Sequence, residues 1–354
     1  MNPDCTAARF RIRLPFFAAV RSGALPAVSF DDDGLRVTVD PPYRGGLSQD
    51  DLLLDSPKPS KTTSHDLAPR SATPWPRRML VGDLPVELCD VLQFKVESAS
   101  GFDRLPEPEN PSIEHCFRIA NGIVSRLRAV TAAGFIRPLD PYRSLWELSY
   151  LDADGEEYAK DPTGRRLRAR ASSVRQANFV TLENAVWQRT FELPSGFSPR
   201  PWDTVLLDAY GLLPDVGAAV VLAYAAIEMR IDDALVSLGR TASVSATFWN
   251  WVLSRDDNFT KQPSIVERLD VLLAEVGGRS LKDDPTLWQL FQRLRKARNS
   301  YAHAGVEVDA GEVVDLLDGA RRAMDFIEAQ LPEVERRPEH VTLDATMEIA
   351  FPFS

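Results

Sequence analysis

The spacing of apolar residues changes once along this chain, near residue 200, and that change constrains the fold more than any motif does. Before it, Arg9-Phe10-Arg11-Ile12-Arg13-Leu14 and Leu35-Arg36-Val37-Thr38-Val39 alternate polar and apolar residues, the period of a strand with one buried face. Val91 to Val96 reads as another strand. After it, apolar residues recur every three or four positions, as on the core face of helices. Strands followed by helices predict an α+β protein. We expect residues 1–200 to form a β-rich mixed domain, 201–335 an all-α helical bundle, and 336–354 a tail whose Val341–Phe351 stretch adds a strand to the first domain.

Within the first part, 40–77 is rich in Pro, Ser, Thr and Asp and lacks periodicity, which predicts a mobile excursion. Ile113 to Ala133 is its one helical stretch, with Phe117, Ile119, Ile123, Leu127 and Val130 on one face. The runs LWELSYL and YAKD flank Asp152-Ala153-Asp154-Gly155, too short for an EF-hand loop and suited to a hairpin turn. Arg165, Arg166, Arg168 and Arg170 put cations along one strand. That pattern reads as a solvated edge strand, with an RNA-contacting strand as the alternative.

The helical part divides into segments. Trp202–Leu213 stops at Pro214, and 215–238 turns Val220, Tyr224, Ile227, Ile231, Leu235 and Leu238 inward. Ser245–Leu253 holds Phe248, Trp249 and Val252. Ser264-Ile265-Val266-Glu267 is a capping-box pattern opening a stripe of Ile265, Leu269, Leu272 and Val276, closed by Gly277-Gly278. Asp309-Ala310-Gly311-Glu312 resembles a cap for 313–331, whose face is Leu316, Leu317, Ala320, Met324 and Ile327.

Composition narrows the function. A net charge of −10 argues against a surface that coats nucleic acid, though a small basic cleft is compatible with it. The three cysteines Cys5, Cys89 and Cys116 are far apart and support neither a disulfide framework nor a CxxC metal site. The longest uncharged run, 216–227, is too short to span a bilayer, and the N-terminal residues lack a signal-peptide pattern. A cytoplasmic protein with no membrane partner is the expectation. The sequence contains no P-loop, no GxGxxG after a strand, no GxSxG and no HExxH. His65, His115 and His340 are scattered and read as surface histidines, so no metal and no cofactor are expected.

One segment remains, PTLWQLFQRLRKARNSYAHAG, 285–305. Leu287, Leu290, Phe291, Leu294, Ala297 and Tyr301 form its buried face. Its last turns carry Arg293, Arg295, Lys296 and Arg298, then Asn299 and His303, with no acid among them. At about 100° per residue Arg298 falls about 20° from Leu287, in the apolar stripe. A guanidinium placed there needs a carboxylate, a partner chain or a phosphate.

The Arg298-x4-His303 arrangement, with polar Asn299 directly after the Arg in a late helix of a small bundle, resembles the HEPN superfamily of ribonucleases. AVVLAYAAIEMRIDDAL, about 65 residues upstream, resembles that family's first long helix, with Glu228 in its middle. The resemblance covers about 202–331 and implies metal-independent RNA cleavage in a homodimer, with motif helices of two protomers facing each other. It assigns His303 and Arg298 as catalytic and Asn299 as supporting. The chain departs from the toxin branch that pairs with nucleotidyltransferase antitoxins, which has Tyr two residues after the His where Gly305 stands here. The resemblance makes a defence setting, such as anti-phage defence or stress response, and an activating or inhibiting protein partner plausible, with residues 1–200 as sensor or specificity module.

The chemistry agrees with this. Cleaving RNA beside its own 2′-hydroxyl needs a base, a cation on the phosphorane oxygens and an acid for the leaving oxygen. Histidine serves as base or acid near neutrality, and a guanidinium fork fits phosphate oxygens. On a regular helix, however, Arg298 and His303 stand about 140° and about 7.5 Å apart. Either a two-fold dimer or local unwinding before Gly305 is therefore expected to bring them to one phosphate. Glu228 is expected to pair with Arg298, Asn299 to orient the His303 ring or touch phosphate, and Arg295 and Lys296 to bind substrate. The alternative is a non-catalytic dimerising bundle that binds nucleotide or RNA, with function carried by the N-terminal domain; a protein–protein adaptor is the third reading.

Overall fold

The computed structural model describes residues 5–20, 25–43, 78–81, 84–97, 113–152, 154–160, 179–213, 215–254 and 262–338. These fall into two compact units, 5–131 with 136–198, and 132–135 with 199–338. The architecture is α+β. The second unit begins where the apolar period changes. It also takes in 132–135, and it includes residues 336–338, which were expected to belong to a separate tail. The arginine strand at 165–170, the tail strand at 341–351, His65, His340 and most of the 40–77 excursion lie outside the described residues. The start of that excursion is regular, because Asp40 to Tyr43 complete a strand.

In the first unit the strands are β1 (Cys5–Val20), β2 (Val28–Asp32), β3 (Leu35–Tyr43), β4 (Arg78–Val81), β5 (Leu84–Glu97), β6 (Trp146–Asp152), β7 (Glu157–Lys160) and β8 (Phe179–Leu182). The sheet order is β2-β3-β5-β1-β6-β7, with β4 on β5 and β8 running parallel to β1. β1 lies inside the sheet, with Phe10 opposite both Phe94 of β5 and Leu148 of β6. Its alternation works as expected. Phe10, Ile12 and Leu14 are buried, while Arg9 meets Glu157 at 3.3 Å and Arg13 meets Asp90 at 3.2 Å on the other face. Asp152 and Gly155 form the β6–β7 turn, with Gly155 at φ +82°.

Helix α1 (Ile113–Thr131) covers the apolar face through Phe117, whose ring lies 5.4 Å from Phe10 and 6.0 Å from Trp146. His115, expected at the surface, is instead drawn to within 3.4 Å of Asp32. Burial and Arg118 together hold its imidazole below the usual histidine range. A short helix absent from the sequence reading, α2 (Asn184–Glu192), buries Val186 and Trp187. Arg126 of α1 is buried between Phe30 and Phe191, 5.3 and 5.5 Å from their ring centres, and donates to the carbonyl of Pro194.

The second unit contains α3 (Pro201–Gly211), α4 (Val216–Thr241), α5 (Ala246–Ser254), a composite α6, α7 (Pro285–Ala304) and α8 (Val313–Glu328). α4 packs on α3, α7 and α8, and all six of its expected inward residues are buried. α5 buries Trp249 and Val252 but leaves Phe248 exposed. The Ser264–Glu267 capping box forms in both directions, at 3.3 and 2.6 Å. α6 starts as Ile265–Glu267, widens to a π turn over Arg268–Leu272 and resumes as Leu273–Gly277. That extra residue per turn advances the stripe by one, so Ile265, Leu269 and Leu273 are buried where Leu272 was expected. α8 is preceded by an Asp309 turn onto the Gly311 amide, but the capping position itself is Glu312.

A buried ionic network, unforeseen in the sequence, closes the bundle. Arg230 of α4 meets Glu328 of α8 at 3.2 Å and Asp233 at 2.9 Å, with its guanidinium 4.3 Å from the Trp202 ring. Arg337 meets Asp203, Glu328 and Asp325, and so fastens the segment after α8 to the bundle. Among the described residues no helix is long and apolar enough to cross a membrane.

Candidate functional site

α7 is fixed at both ends by its sequence. Asp284 accepts a hydrogen bond from the Leu287 amide at 2.9 Å and Pro285 occupies the first turn, where a missing N–H costs nothing. Gly305 ends the helix at φ +64°, a conformation disfavoured for side chains with a Cβ. Leu287, Phe291 and Leu294 bury the stripe, and Arg298 continues it, half-buried.

The guanidinium of Arg298 lies 5.1 Å from the centre of the Tyr224 ring on α4. The same ring stacks on Phe291 at 6.2 Å and 10°. Arg298 Nη1 donates to Asn299 Oδ1 at 3.0 Å and reaches Nε2 of His303 at 3.4 Å. Its Nε is buried with no hydrogen-bond partner among the described residues. His303 itself is exposed in the last turn of α7. α7 stays helical to Ala304, so neither unwinding nor a second chain is needed to bring the two side chains together. The long arginine side chain spans the offset alone.

Glu228 and Asn299, expected as supporting residues, are placed as follows. Glu228 makes no direct ion pair or hydrogen bond with Arg298; its influence on the guanidinium is through the Coulombic field alone. It is half-buried, and desolvation raises its carboxyl above the usual range although Arg298 pulls the other way. Asn299 accepts from Arg298 instead of touching His303, because the arginine reaches it first from the neighbouring position. Tyr224 was read from the sequence only as a core residue. The signal that it also serves the site was its spacing: Tyr224 and Glu228 stand one turn apart, so the face that offers an acid offers a ring as well. Burial, with Glu228 nearby, raises the Tyr224 hydroxyl, while Arg298 and Arg295 oppose that shift.

The flanking cations separate into two groups. Arg293 is taken by α8, 3.1 Å from Glu312 and 3.9 Å from Asp315. Arg295 donates to Gln292 at 3.2 Å and Lys296 is exposed. The positive end of α7 therefore consists of Arg295, Lys296 and Arg298. Tyr301 is half-buried against Gly217 of α4, where a Cβ would come within 2.1 Å of its ring. Among the described residues no group of three or more His, Cys, Asp or Glu is placed to hold a metal ion. A shallow depression of about 460 Å³ lined by Asp232, Asn250, Gln262 and Arg268 contains neither Arg298 nor His303.

Chemically, the arrangement offers an exposed imidazole in contact with a cation that forms no ion pair with a carboxylate among the described residues, although Glu228 lies within Coulombic reach. When Arg298 donates to Nε2, the imidazole is neutral with its proton on Nδ1, and Nε2 has to exchange this long contact for the substrate hydroxyl before it can take a proton. Comparison with protein-family models, curated proteins and solved structures finds no match to this chain.

Proposed function

We propose that the second unit is a HEPN-like endoribonuclease that cleaves RNA through its own 2′-hydroxyl without a metal ion. The observation that carries this reading is the 3.4 Å approach of Arg298 Nη1 to His303 Nε2 at the solvent-exposed end of α7, with no acid ion-paired to the guanidinium among the described residues. His303 removes the proton from the 2′-oxygen, which attacks the adjacent phosphorus. A P–O2′ bond forms, the P–O5′ bond breaks, and the 5′-oxygen leaves with a proton. Arg298 stabilises the charge that develops on the non-bridging oxygens, and Arg295 and Lys296 steer the polyanion. The base and acid stand on opposite sides of the phosphorus in an in-line displacement. One imidazole therefore serves one role, and a homodimer supplies the second. The first unit is the specificity or sensing module in this reading, within the cytoplasm and in a defence or stress setting.

End-group analysis tests it. Purified protein in EDTA is expected to leave 2′,3′-cyclic phosphate and 5′-hydroxyl ends on RNA. Products bearing 5′-phosphate, or cleavage that requires added metal, would contradict the proposed chemistry. Binding of RNA by a wild-type protein that cuts none would favour a non-catalytic nucleic-acid-binding bundle.

A further inference from the structure

We propose that Tyr224 is a positioning residue for Arg298, so that an aromatic face and not a carboxylate holds this guanidinium. The consequence for catalysis rests on the endoribonuclease reading, whereas the geometry does not.

A guanidinium withdrawn from water ordinarily meets an acid. Arg230, in the same bundle, follows that rule: besides the Trp202 ring at 4.3 Å it has Glu328 at 3.2 Å and Asp233 at 2.9 Å. Arg298 has the ring, Tyr224 at 5.1 Å, and no ion-paired acid among the described residues. Glu228 sits one turn along α4 from Tyr224 yet forms no ion pair with Arg298. Two arginines of one bundle are thus held in contrasting ways. The arginine whose charge is used up within the fold has acids and a ring, and the one beside the histidine has a ring alone.

The difference matters for a phosphate. A carboxylate binds the edge of a guanidinium, and the edge carries the N–H groups that an incoming phosphate needs. An aromatic ring binds the face and leaves the edge donors and the full positive charge in place. Tyr224 is suited to this task because it is itself fixed. It is 5% exposed in the central helix of the bundle, and its ring is stacked on Phe291. Of the edge donors of Arg298, Nη1 is engaged with Asn299 and His303 and Nε is buried, so an incoming phosphate meets the Nη side of the fork. The ring therefore fixes where the guanidinium sits, and the Nη1 contacts fix which way its edge is turned.

The test combines kinetics with a direct view of Arg298. With an RNA oligonucleotide in EDTA, Tyr224→Phe keeps the ring and is expected to retain kcat within about threefold. Tyr224→Leu removes it and is expected to lower kcat about tenfold or more, with a smaller change in KM, since a cation–π contact of about 1.4 kcal/mol corresponds to a factor of ten. In an Arg298→Ala background Tyr224→Leu is expected to add nothing. Phe291→Leu disturbs the same core stack without removing the face over Arg298, and it separates positioning from packing. In ¹⁵N-arginine-labelled full-length protein, the Arg298 Nε–Hε signal, identified by its loss in Arg298→Lys, is expected upfield of ordinary arginines in wild type and Tyr224→Phe. An unshifted Arg298 signal in wild type overturns the proposal, as does an undiminished kcat in Tyr224→Leu. If Tyr224→Leu does not fold, the wild-type and Tyr224→Phe signals decide. If wild type cuts no RNA, the endoribonuclease reading fails, and the same signal still establishes whether the ring holds Arg298.

Discussion

Arg298 Nη1 lies 3.4 Å from His303 Nε2 although the two residues leave α7 in widely different directions. Backbone geometry alone, about 140° and about 7.5 Å, separates them. The arginine closes the gap by lying across Tyr224 and bending its fork toward the helix end. Two-fold symmetry is therefore not needed to assemble the pair. In the proposed mechanism it supplies the second imidazole, which is a separate matter.

Glu228 gives a pH-dependent prediction. Burial raises its carboxyl above the ordinary value of about 4.3. The folded state then holds this proton more tightly than the unfolded state, so stability falls as pH rises from the ordinary value through the raised one, and the loss persists above it. Glu228→Gln is expected to raise the unfolding midpoint at pH 7, with the advantage shrinking to nothing below about pH 4. Denaturant melts at both pH values check this; an equal gain at both removes Glu228 as the cause.

The Arg230 network predicts a severe but repairable defect. Arg230 is 1% exposed and Glu328 6%, so Arg230→Met leaves a buried carboxylate short of a partner at a cost of about 3–5 kcal/mol. Adding Glu328→Leu is expected to recover part of that loss, because the carboxylate left with Arg337 alone goes with it, while Arg337 keeps Asp203 and Asp325. Urea unfolding of the two single variants and the double variant measures the coupling. Additive losses would mean that the two residues stabilise the bundle independently.

Legibility followed the range of the physics involved. Local periodicity located β1, β3, β5, α1 and all the bundle helices, since each buries one face. It missed α2, a short helix whose apolar content is mainly Val186, Trp187 and Phe191. It also misplaced Leu272, because a π turn depends on how α6 packs and leaves no mark in spacing. The site was legible as residue types on one helix. Its partners were not: Glu228 was assigned by sign of charge, whereas the ring of Tyr224, on the same face, is what Arg298 meets. The Arg230–Glu328 pair joins residues nearly a hundred positions apart, beyond the reach of any local pattern.

Gly217 of α4 lies directly under the Tyr301 ring near the end of α7. An added Cβ would come within 2.1 Å of the Tyr301 ring, so Gly217→Ala must displace a side chain two positions before His303. The expected cost is about 1–3 kcal/mol of stability, read as a lower urea midpoint. A pair of variants distinguishes the cause: with Tyr301→Ala already present, Gly217→Ala is expected to become nearly neutral. A full loss in that background would place the clash elsewhere.

The most direct measurement is the rate of RNA cleavage in EDTA by wild type, Arg298→Ala and His303→Ala at equal concentration. Wild type is expected to cleave, and each variant to fall by about 100-fold or more, the scale of losing a general base or a transition-state cation. Wild-type rates in both variants would contradict the assignment of this pair as the catalytic centre.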